Sequence, residues 1–255
     1  MVLRDKCWLW GHPAGRYNED YNLDSRMTPM ECCNYLGIRN VFMVPVNWEV
    51  NERQYNKSFT TLNQVGWGYD YCDFDKIIEQ AKEFPNIGCV AFDDFTSNLS
   101  STHQNNHEGL KALFDKYHNN NVRRLDTWMV IYTMHFGVTD EYDAKLQPFL
   151  DMIDGAIMWT WSEKDVCLIP EKFEKFKSMT PNTRRMVGVY LFNFGDGKEA
   201  TGEAVKWQLD WAREKLLAGE IEGIVLHTNT MADLDFEAYD VALEWMKTYG
   251  DEVID

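Results

Sequence analysis

Two adjacent carboxylates stand at the end of the run 87–95, whose sequence is IGCVAFDDF. Small and apolar residues fill this run up to Asp93 and Asp94, as in a buried β-strand that ends at the two acids. An ionised carboxylate that leaves water must be hydrogen-bonded, bound to a metal or held at a shifted pKa, and active sites are built from groups in such surroundings. The sequence therefore predicts an enzyme in which Asp94 or Asp93 handles a proton.

The elements that must position these acids alternate regularly along the chain. Seven apolar runs have the character of buried strands, and they cover residues 6–12, 39–45, 87–95, 125–135, 155–161, 186–194 and 223–228. Amphipathic helical segments lie between them, and this alternation indicates a parallel sheet that is covered on both faces. The strand-to-helix connections are long and rich in aromatic and acidic residues, whereas the helix-to-strand connections are short, as in a (β/α) barrel.

We therefore predict an α/β fold, a single (β/α) TIM-like barrel domain over residues 1–255, in which seven strands are evident and an eighth is uncertain. The eighth strand is expected as a short irregular piece within residues 46–72, unless the barrel has seven strands. An open doubly wound sheet is the alternative, and it is disfavoured because no strand is followed by a glycine-rich phosphate-binding turn.

The residues that follow the predicted strands would meet at one mouth of this barrel. They suit a neutral carbohydrate, because aromatic faces cover the apolar side of a sugar ring while carboxylates and amides bind its hydroxyls. None of them is a lysine or an arginine. The expected substrate-binding residues are Trp10, His12, Trp48, Glu49, Tyr132, His135, Trp159, Trp161, Asn193, His227 and Asn229.

Cleavage of a glycosidic bond typically uses two carboxyl groups, about 5 Å apart for retention of configuration and wider for inversion. We expect Asp94 and Glu163 to form this pair, with Asp93 beside them and Glu49 in reserve. Adjacent residues of a strand point to opposite faces, so both aspartates can reach the lumen only if the strand ends at them. The proposed reaction requires no cofactor and no metal.

Three strand-end motifs, CVAFDDF, MWTWSE and GVYLFNFGD, give the chain its resemblance to TIM-barrel glycoside hydrolases. Each is an apolar strand that ends in acids, tryptophans or amides. There is also a faint similarity to the chitinase-like barrels, whose catalytic strand carries the motif DxxDxDxE. Only Asp93 and Asp94 correspond to that motif here, and no glutamate follows them on the strand. The resemblance implies a barrel with carboxylate chemistry.

Other functions are compatible with the same strand-end residues. A metal-dependent barrel enzyme, of the sugar isomerase, aldolase or amidohydrolase type, would use His12, His135 and His227 with Asp93 or Asp94 around a divalent ion. A barrel that binds carbohydrate without cleaving it would need the aromatic residues but not the acid pair. A phosphate site near Gly195, Gly197 and Lys198 is less favoured than a simple turn.

Bulk composition narrows the choice of partners and compartment. The formal net charge of −16 opposes binding to phosphate backbones and anionic lipids, so we expect no nucleic acid and no membrane insertion. The six cysteines show no CxxC spacing and are expected to be reduced thiols. The first residues resemble neither a signal peptide nor a membrane span, so a cytoplasmic location is expected unless an export signal preceded this sequence, in which case the protein would be secreted or periplasmic.

Overall fold

Eight parallel strands form a closed barrel in the computed structural model, which describes residues 1–44, 56–68, 73–95 and 107–254. Their order around the barrel is β1, β10, β7, β6, β5, β4, β3 and β2. The barrel strands are β1 (Cys7–Gly11), β2 (Asn40–Met43), β3 (Gln64–Gly68), β4 (Ile87–Phe92), β5 (Asp126–Tyr132), β6 (Gly155–Trp159), β7 (Arg184–Tyr190) and β10 (Gly223–His227). A two-stranded antiparallel sheet, β8 (Phe192–Asn193) with β9 (Lys198–Glu199), follows β7. The prediction of a (β/α) TIM barrel is confirmed.

The eighth strand is β3, and it lies within the segment where the sequence left room for it. It pairs in parallel with β2 on one side and with β4 on the other. Its sequence, QVGWG, is short and contains two glycines, which weaken a strand pattern. A Cβ atom at Gly66 would lie 2.6 Å from the sulfur of Cys89 and from the ring of Phe42, so packing inside the barrel requires glycine here.

Helices surround the barrel, and all of them except the four-residue α1 bury residues in its core. They are α1 (Asn18–Tyr21), α2 (Pro29–Leu36), α3 (Phe74–Glu83), α4 (His107–His118), α5 (Asp140–Leu150), α6 (Ile169–Met179), α7 (Gly202–Leu217) and α8 (Glu237–Tyr249). Their starts follow the expected chemistry. The side chains of Thr28 and Glu31 form a capping box at the start of α2, and Asp73 accepts a hydrogen bond from the backbone of Lys76 at the start of α3.

Aromatic rings fill the barrel lumen. Trp8 stacks on Phe42 at a centroid distance of 4.5 Å, and Trp10 meets Trp159 edge to face at 6.0 Å. Glycine makes room for these rings, since a Cβ atom at Gly188 would overlap the indole of Trp159. The upper layer of rings, which contains Trp10 and Trp159, lies towards the carboxyl ends of the strands.

The amino ends of the strands carry a network of paired charges. Asp154, just before β6, accepts hydrogen bonds from the His118 ring at 2.8 Å and from the Thr127 backbone at 2.7 Å. The guanidinium of Arg124 also contacts Asp154, and the guanidinium of Arg184 lies 2.6 Å from Asp126. Each of these carboxylates therefore has a cationic partner.

The cysteines within the described residues are free thiols, and Cys72 lies outside them. Burial raises the pKa of Cys7 and of Cys33 to about 12, so both thiols pack as small apolar groups. Among the helices of the described residues, none combines the length and the apolar composition that crossing a membrane requires.

Candidate active site

A pocket of about 100 Å³ opens at the carboxyl ends of the strands. Active sites of TIM barrels lie at this face. A larger cavity, of about 620 Å³, lies at the amino end beside Arg4 and Asp251, away from the strand-end residues. Within the described part of the chain, no lysine or arginine lines the smaller pocket. Its walls consist of Trp10, His12, Tyr17, Asp93, Asp94, Tyr132, Trp159, Trp161, Tyr190, Phe194 and His227.

Asp93 and Asp94 both line this pocket because β4 ends at Phe92, directly before them. Asp94 adopts the left-handed conformation, with φ of 47°, and its backbone N–H donates to Oδ1 of Asp93 at 2.9 Å. The resulting turn brings two half-buried neighbours to the same pocket, which a continuing strand would have prevented. A non-glycine residue in this conformation costs about 1 kcal/mol, and such strain is concentrated at functional sites.

Tyrosine hydroxyls stand close to the two acids. The hydroxyl of Tyr132 donates to Oδ1 of Asp94 at 2.7 Å. Burial raises the pKa of Tyr132 and of Tyr190 well above the usual value, and the negative charges of Asp93 and Asp94 add to the rise. Both hydroxyls therefore keep their protons and act as neutral groups beside the carboxylates.

Two histidines form a neutral pair on the opposite wall. Nε2 of His12 lies 3.2 Å from Nε2 of His227 and 3.3 Å from the hydroxyl of Tyr17. Burial lowers the pKa of His12 to about 3, assisted by the nearby charge of Arg16, and it lowers that of His227 well below the usual value. One imidazole of the pair therefore donates and the other accepts, and Nδ1 of each ring is buried without a hydrogen-bond partner.

Asn229 fixes the position of His12 from behind the pocket. Its Oδ1 accepts from the backbone N–H of His12 at 2.8 Å, and its Nδ2 donates to the backbone oxygens of His12 at 2.9 Å and Met27 at 2.7 Å. The side chain is fully buried. Asn229 therefore clamps the two ends of the loop that carries Tyr17, and it is not part of the pocket wall.

Glu163, the expected partner of Asp94, is not among the residues that line this pocket. Its two carboxylate oxygens accept from the backbone N–H of Thr201 at 2.8 Å and from the Thr201 hydroxyl at 3.0 Å. Thr201 is the N-cap of α7, so the acid stabilises a helix start. Among the described residues of the lining, Asp93 is the carboxylate that accompanies Asp94, and the pairing of Asp94 with Glu163 stays a prediction.

Two other predicted substrate contacts also lie outside the pocket lining. Oδ1 of Asn193 accepts from the backbone of Glu163 and of Asp196, so this buried amide orders a turn. The half-buried ring of His135 packs edge to face against Tyr132, behind the wall, and burial lowers its pKa. Trp48 and Glu49 lie outside the described residues.

Tyr17, Tyr190 and Phe194 also line the pocket, and they are not among the substrate-binding residues expected from the sequence. Tyr190 ends β7, and its place at a strand end was a usable signal. Tyr17 lies in the long loop after β1, where no periodic pattern shows which side chain turns inward. The ring of Tyr17 packs on Phe194 at a centroid distance of 5.2 Å, so these two residues close one side of the pocket together.

The metal-dependent alternative would require several ligands to converge. Over the ranges that the structure describes, no three side chains of His, Cys, Asp or Glu are grouped closely enough to hold a metal ion. His135 lies outside the lining that contains His12 and His227. The described residues therefore do not form the predicted ligand set.

No model of a known protein family matches this chain, and no curated protein matches it. Solved structures do match in fold. Active domain 2 of a thermostable chitinase from Pyrococcus furiosus has a TM-score of 0.55 and 9% identity, over 96% of this chain and 96% of that one. A family GH18 chitinase from Cycas revoluta has a TM-score of 0.54 and 10% identity, over 93% of this chain and 98% of that one.

An amidohydrolase from Burkholderia multivorans is similar to the same degree, with a TM-score of 0.53 and 8% identity over 100% of this chain and 93% of that one. At such low identities the similarity establishes the fold. The predicted resemblance to TIM-barrel glycoside hydrolases is thus confirmed at the level of architecture, and the chain has the TIM-barrel fold of the chitinases and of this amidohydrolase.

Proposed function

We propose that this protein is a glycoside-hydrolase-like enzyme that cleaves a carbohydrate by carboxylate acid/base catalysis at the carboxyl end of its barrel. One observation carries the proposal, namely that Asp93 and Asp94 both line an aromatic pocket at that face. The fold that the chain shares with two chitinases agrees with this function.

The two acids divide the chemistry between them. In the proposed reaction one of the two carboxyl groups serves as the general acid and the other acts as a carboxylate. The protonated acid donates to the leaving oxygen, while the ionised acid stabilises positive charge at the anomeric carbon or attacks it. The Tyr132 hydroxyl holds one oxygen of Asp94 in place and thereby fixes its orientation.

The aromatic walls define the ligand that the pocket accepts. Indole and phenol rings bind the apolar face of a sugar, and Trp10, Trp159 and Trp161 all line the cavity. No described cation stands in the lining to pair with a carboxylate, sulfate or phosphate group. We therefore propose a carbohydrate that carries no negative charge, with Tyr17 and Tyr190 as further contacts to the ligand.

A screen of aryl glycosides tests the proposal with matched variants. Asp94→Asn and Asp93→Asn should each lower turnover by about 10²- to 10⁴-fold. The control Glu203→Gln makes the same change of charge at an exposed residue in the first turn of α7 and should leave turnover unchanged. Variation of the leaving group assigns the roles, since only loss of the general acid is rescued by an aryl group that departs without protonation.

The outcomes separate the competing functions. If the wild-type protein binds oligosaccharides but cleaves none, the barrel is a carbohydrate-binding module and the proposal fails. If both asparagine variants turn over substrate at the wild-type rate, the acids are not catalytic. If turnover disappears on chelation and returns with a divalent ion, the metal-dependent alternative is correct.

A further inference from the structure

One wall of the pocket is carried by a loop whose helical turn is only partly buried. Residues 12–27 connect β1 with α2 and include Tyr17, which lines the pocket. The turn directly after Tyr17 is α1, which has four residues, none of them fully buried. Its Tyr21 ring contacts that of Phe192 at a centroid distance of 4.9 Å. Segments with few buried contacts open locally at a low free energy, so hydrogen bonds decide how firmly this turn is held.

Side-chain hydrogen bonds tie the turn to the end of the same loop. Nδ2 of Asn18 donates to the backbone oxygen of Ser25 at 2.9 Å, and Oδ1 of Asn18 accepts from the backbone N–H of Ser25 at 3.0 Å. The backbone N–H of Leu23 donates to the backbone oxygen of Asn18 at 2.9 Å. Since Asn18 directly follows Tyr17, the position of Ser25 fixes the place at which Tyr17 enters the pocket wall.

Asp233 holds Ser25 from the loop after β10. Its Oδ1 accepts from the Ser25 hydroxyl at 2.5 Å, and its Oδ2 accepts from the backbone N–H of Arg26 at 2.7 Å. Ser25 is buried, whereas Asp233 is exposed. Hydrogen bonds to a carboxylate are about twice as strong as those between neutral groups. The first and the last strand-to-helix loops of the barrel are therefore joined through the two oxygens of one carboxylate.

We propose that Asp233 is a positioning residue for Tyr17. It acts through Ser25 and Asn18, whose hydrogen bonds lead from the carboxylate to the residue beside Tyr17. Asn229 holds the ends of the loop, and Asp233 holds its interior, so loss of the Asp233 carboxylate should free the turn between two fixed points. The inference rests on the proposed function for its effect on a substrate, whereas its effect on the loop is independent of that function.

Hydrogen exchange at single backbone amides tests the effect on the loop. The Asp233→Ala variant removes both acceptor oxygens. The amides of Asn18, Tyr21 and Leu23, which donate hydrogen bonds within the loop, should then exchange at least about tenfold faster, while the amides of the barrel strands keep their rates. The control Asp235→Ala removes an exposed acid two residues further along the same loop and should leave all these rates unchanged.

Two milder variants keep the test decisive if Asp233→Ala does not fold. Ser25→Ala removes one of the two bonds to the carboxylate and leaves the one from Arg26. Asp233→Asn keeps an oxygen that accepts from Arg26 and gains an amide that donates to the Ser25 hydroxyl. Both variants should accelerate exchange of the same amides less than Asp233→Ala does, and Asp233→Asn should have the smaller effect of the two.

Kinetics with an aryl glycoside that the wild-type protein cleaves test the consequence for the pocket. Under the proposed function, Asp233→Ala should raise KM about five- to tenfold and leave kcat within about twofold, because the wall that Tyr17 forms binds the ligand while the two acids stay in place. Asp233→Asn should restore most of the affinity, and Asp235→Ala should have the kinetics of the wild-type protein.

The outcomes distinguish this inference from the proposed function. Unchanged exchange in the loop of Asp233→Ala, or equal acceleration throughout the barrel, overturns the inference while cleavage by the wild-type protein leaves the proposed function standing. A fall in kcat with KM unchanged, or faster exchange with unchanged kinetics, also overturns it, since the wall would then not depend on Asp233. If the wild-type protein cleaves no glycoside, the proposed function fails and the exchange rates alone decide the inference.

Discussion

The acids at the two ends of the barrel have different surroundings. At the amino ends of the strands, Asp126 and Asp154 lie against the guanidinium groups of Arg184 and Arg124. At the carboxyl ends, Asp93 and Asp94 lie in a pocket whose described lining consists of aromatic rings and neutral histidines. Both pairs are partly buried, so burial alone does not distinguish them.

The difference separates stability from function. Hydrogen bonds to Asp154 satisfy its carboxylate within the fold, and its pKa is lowered although burial acts to raise it. Removing it should loosen the barrel. Asp94 instead adopts the left-handed conformation at a strand end and keeps one side towards a cavity. Removing its charge should affect a ligand more than the fold, and the following experiments test this contrast.

Lowering the pH should destabilise the carboxyl end first, and this is the largest effect we expect. The unfolded chain takes up protons on histidine near pH 6.5, whereas burial keeps the pKa of His12 at about 3 and that of His227 far below its usual value. The contribution of these two histidines to stability is therefore fully present above pH 6.5 and is lost as the pH drops towards 3. The free energy of unfolding should decrease by about 2–4 kcal/mol between pH 7 and pH 5.

Urea unfolding at a series of pH values measures this loss. The His12→Gln variant should flatten the profile by about half, because one of the two buried imidazoles is gone. His107→Gln, at the exposed start of α4, serves as the control and should leave the profile as it is. Identical profiles for His12→Gln and the wild-type protein would show that the buried pair of His12 and His227 does not cause the loss of stability at low pH.

Asp154→Asn should be the most damaging of the acid substitutions to stability. The amide cannot keep the charge-assisted bonds from Arg124 and His118, so the free energy of unfolding should fall by about 2–3 kcal/mol. The wild-type protein should lose the same contribution below about pH 4. A carboxyl group whose pKa is lowered by folding stabilises the folded state above its unfolded pKa, and this stabilisation is lost as the pH falls through its folded pKa.

Asp94→Asn provides the matched comparison for this experiment. Asparagine tolerates the left-handed conformation, so its free energy of unfolding should stay within about 1 kcal/mol of the wild-type value. Calorimetric melting of the two variants side by side is the measurement. A loss of stability in Asp94→Asn as large as that in Asp154→Asn would mean that the upper acids are structural as well.

The contrast between the two ends was only half visible in the sequence. Apolar runs separated by amphipathic helices predict a barrel, because period and composition are local properties of the chain. The same runs place Asp93 and Asp94 at a strand end, and β4 indeed ends at Phe92. The two glycines of β3 obscured the eighth strand in the sequence, since side chains on other strands require them, namely Phe42 and Cys89 against Gly66 and Trp10 against Gly68.

The partners of each acid depend on contacts between distant segments, which no local pattern encodes. Glu163 follows a strand just as Asp93 does, but the start of α7 lies close enough for Thr201 to take both of its oxygens. Tyr17 reaches the pocket because Asn229, more than two hundred residues away, clamps the loop at His12 and Met27. The sequence identifies candidate residues at strand ends, and tertiary packing determines which of them line the pocket.

Tyr132→Phe tests the contrast at the carboxyl end of the barrel alone. Loss of the hydroxyl removes the bond to Oδ1 of Asp94, and the free energy of unfolding should change by about 1 kcal/mol or less. Turnover should fall about tenfold under the proposed function, because the acid is no longer held in one orientation. Kinetics and unfolding on the same preparation separate the two effects, and unchanged turnover would remove Tyr132 from the catalytic arrangement.

Arg16→Gln should have the smallest effect, and it tests how a cation at the rim influences the pocket. The charge of Arg16 assists burial in lowering the pKa of His12, so its removal should let that pKa rise and should restore a little stability at pH 5. The gain should stay below about 0.5 kcal/mol, since Arg16 is exposed and its field is screened by water. Unfolding at pH 5 and pH 7 measures this gain, and a loss of stability confined to pH 5 would contradict the prediction.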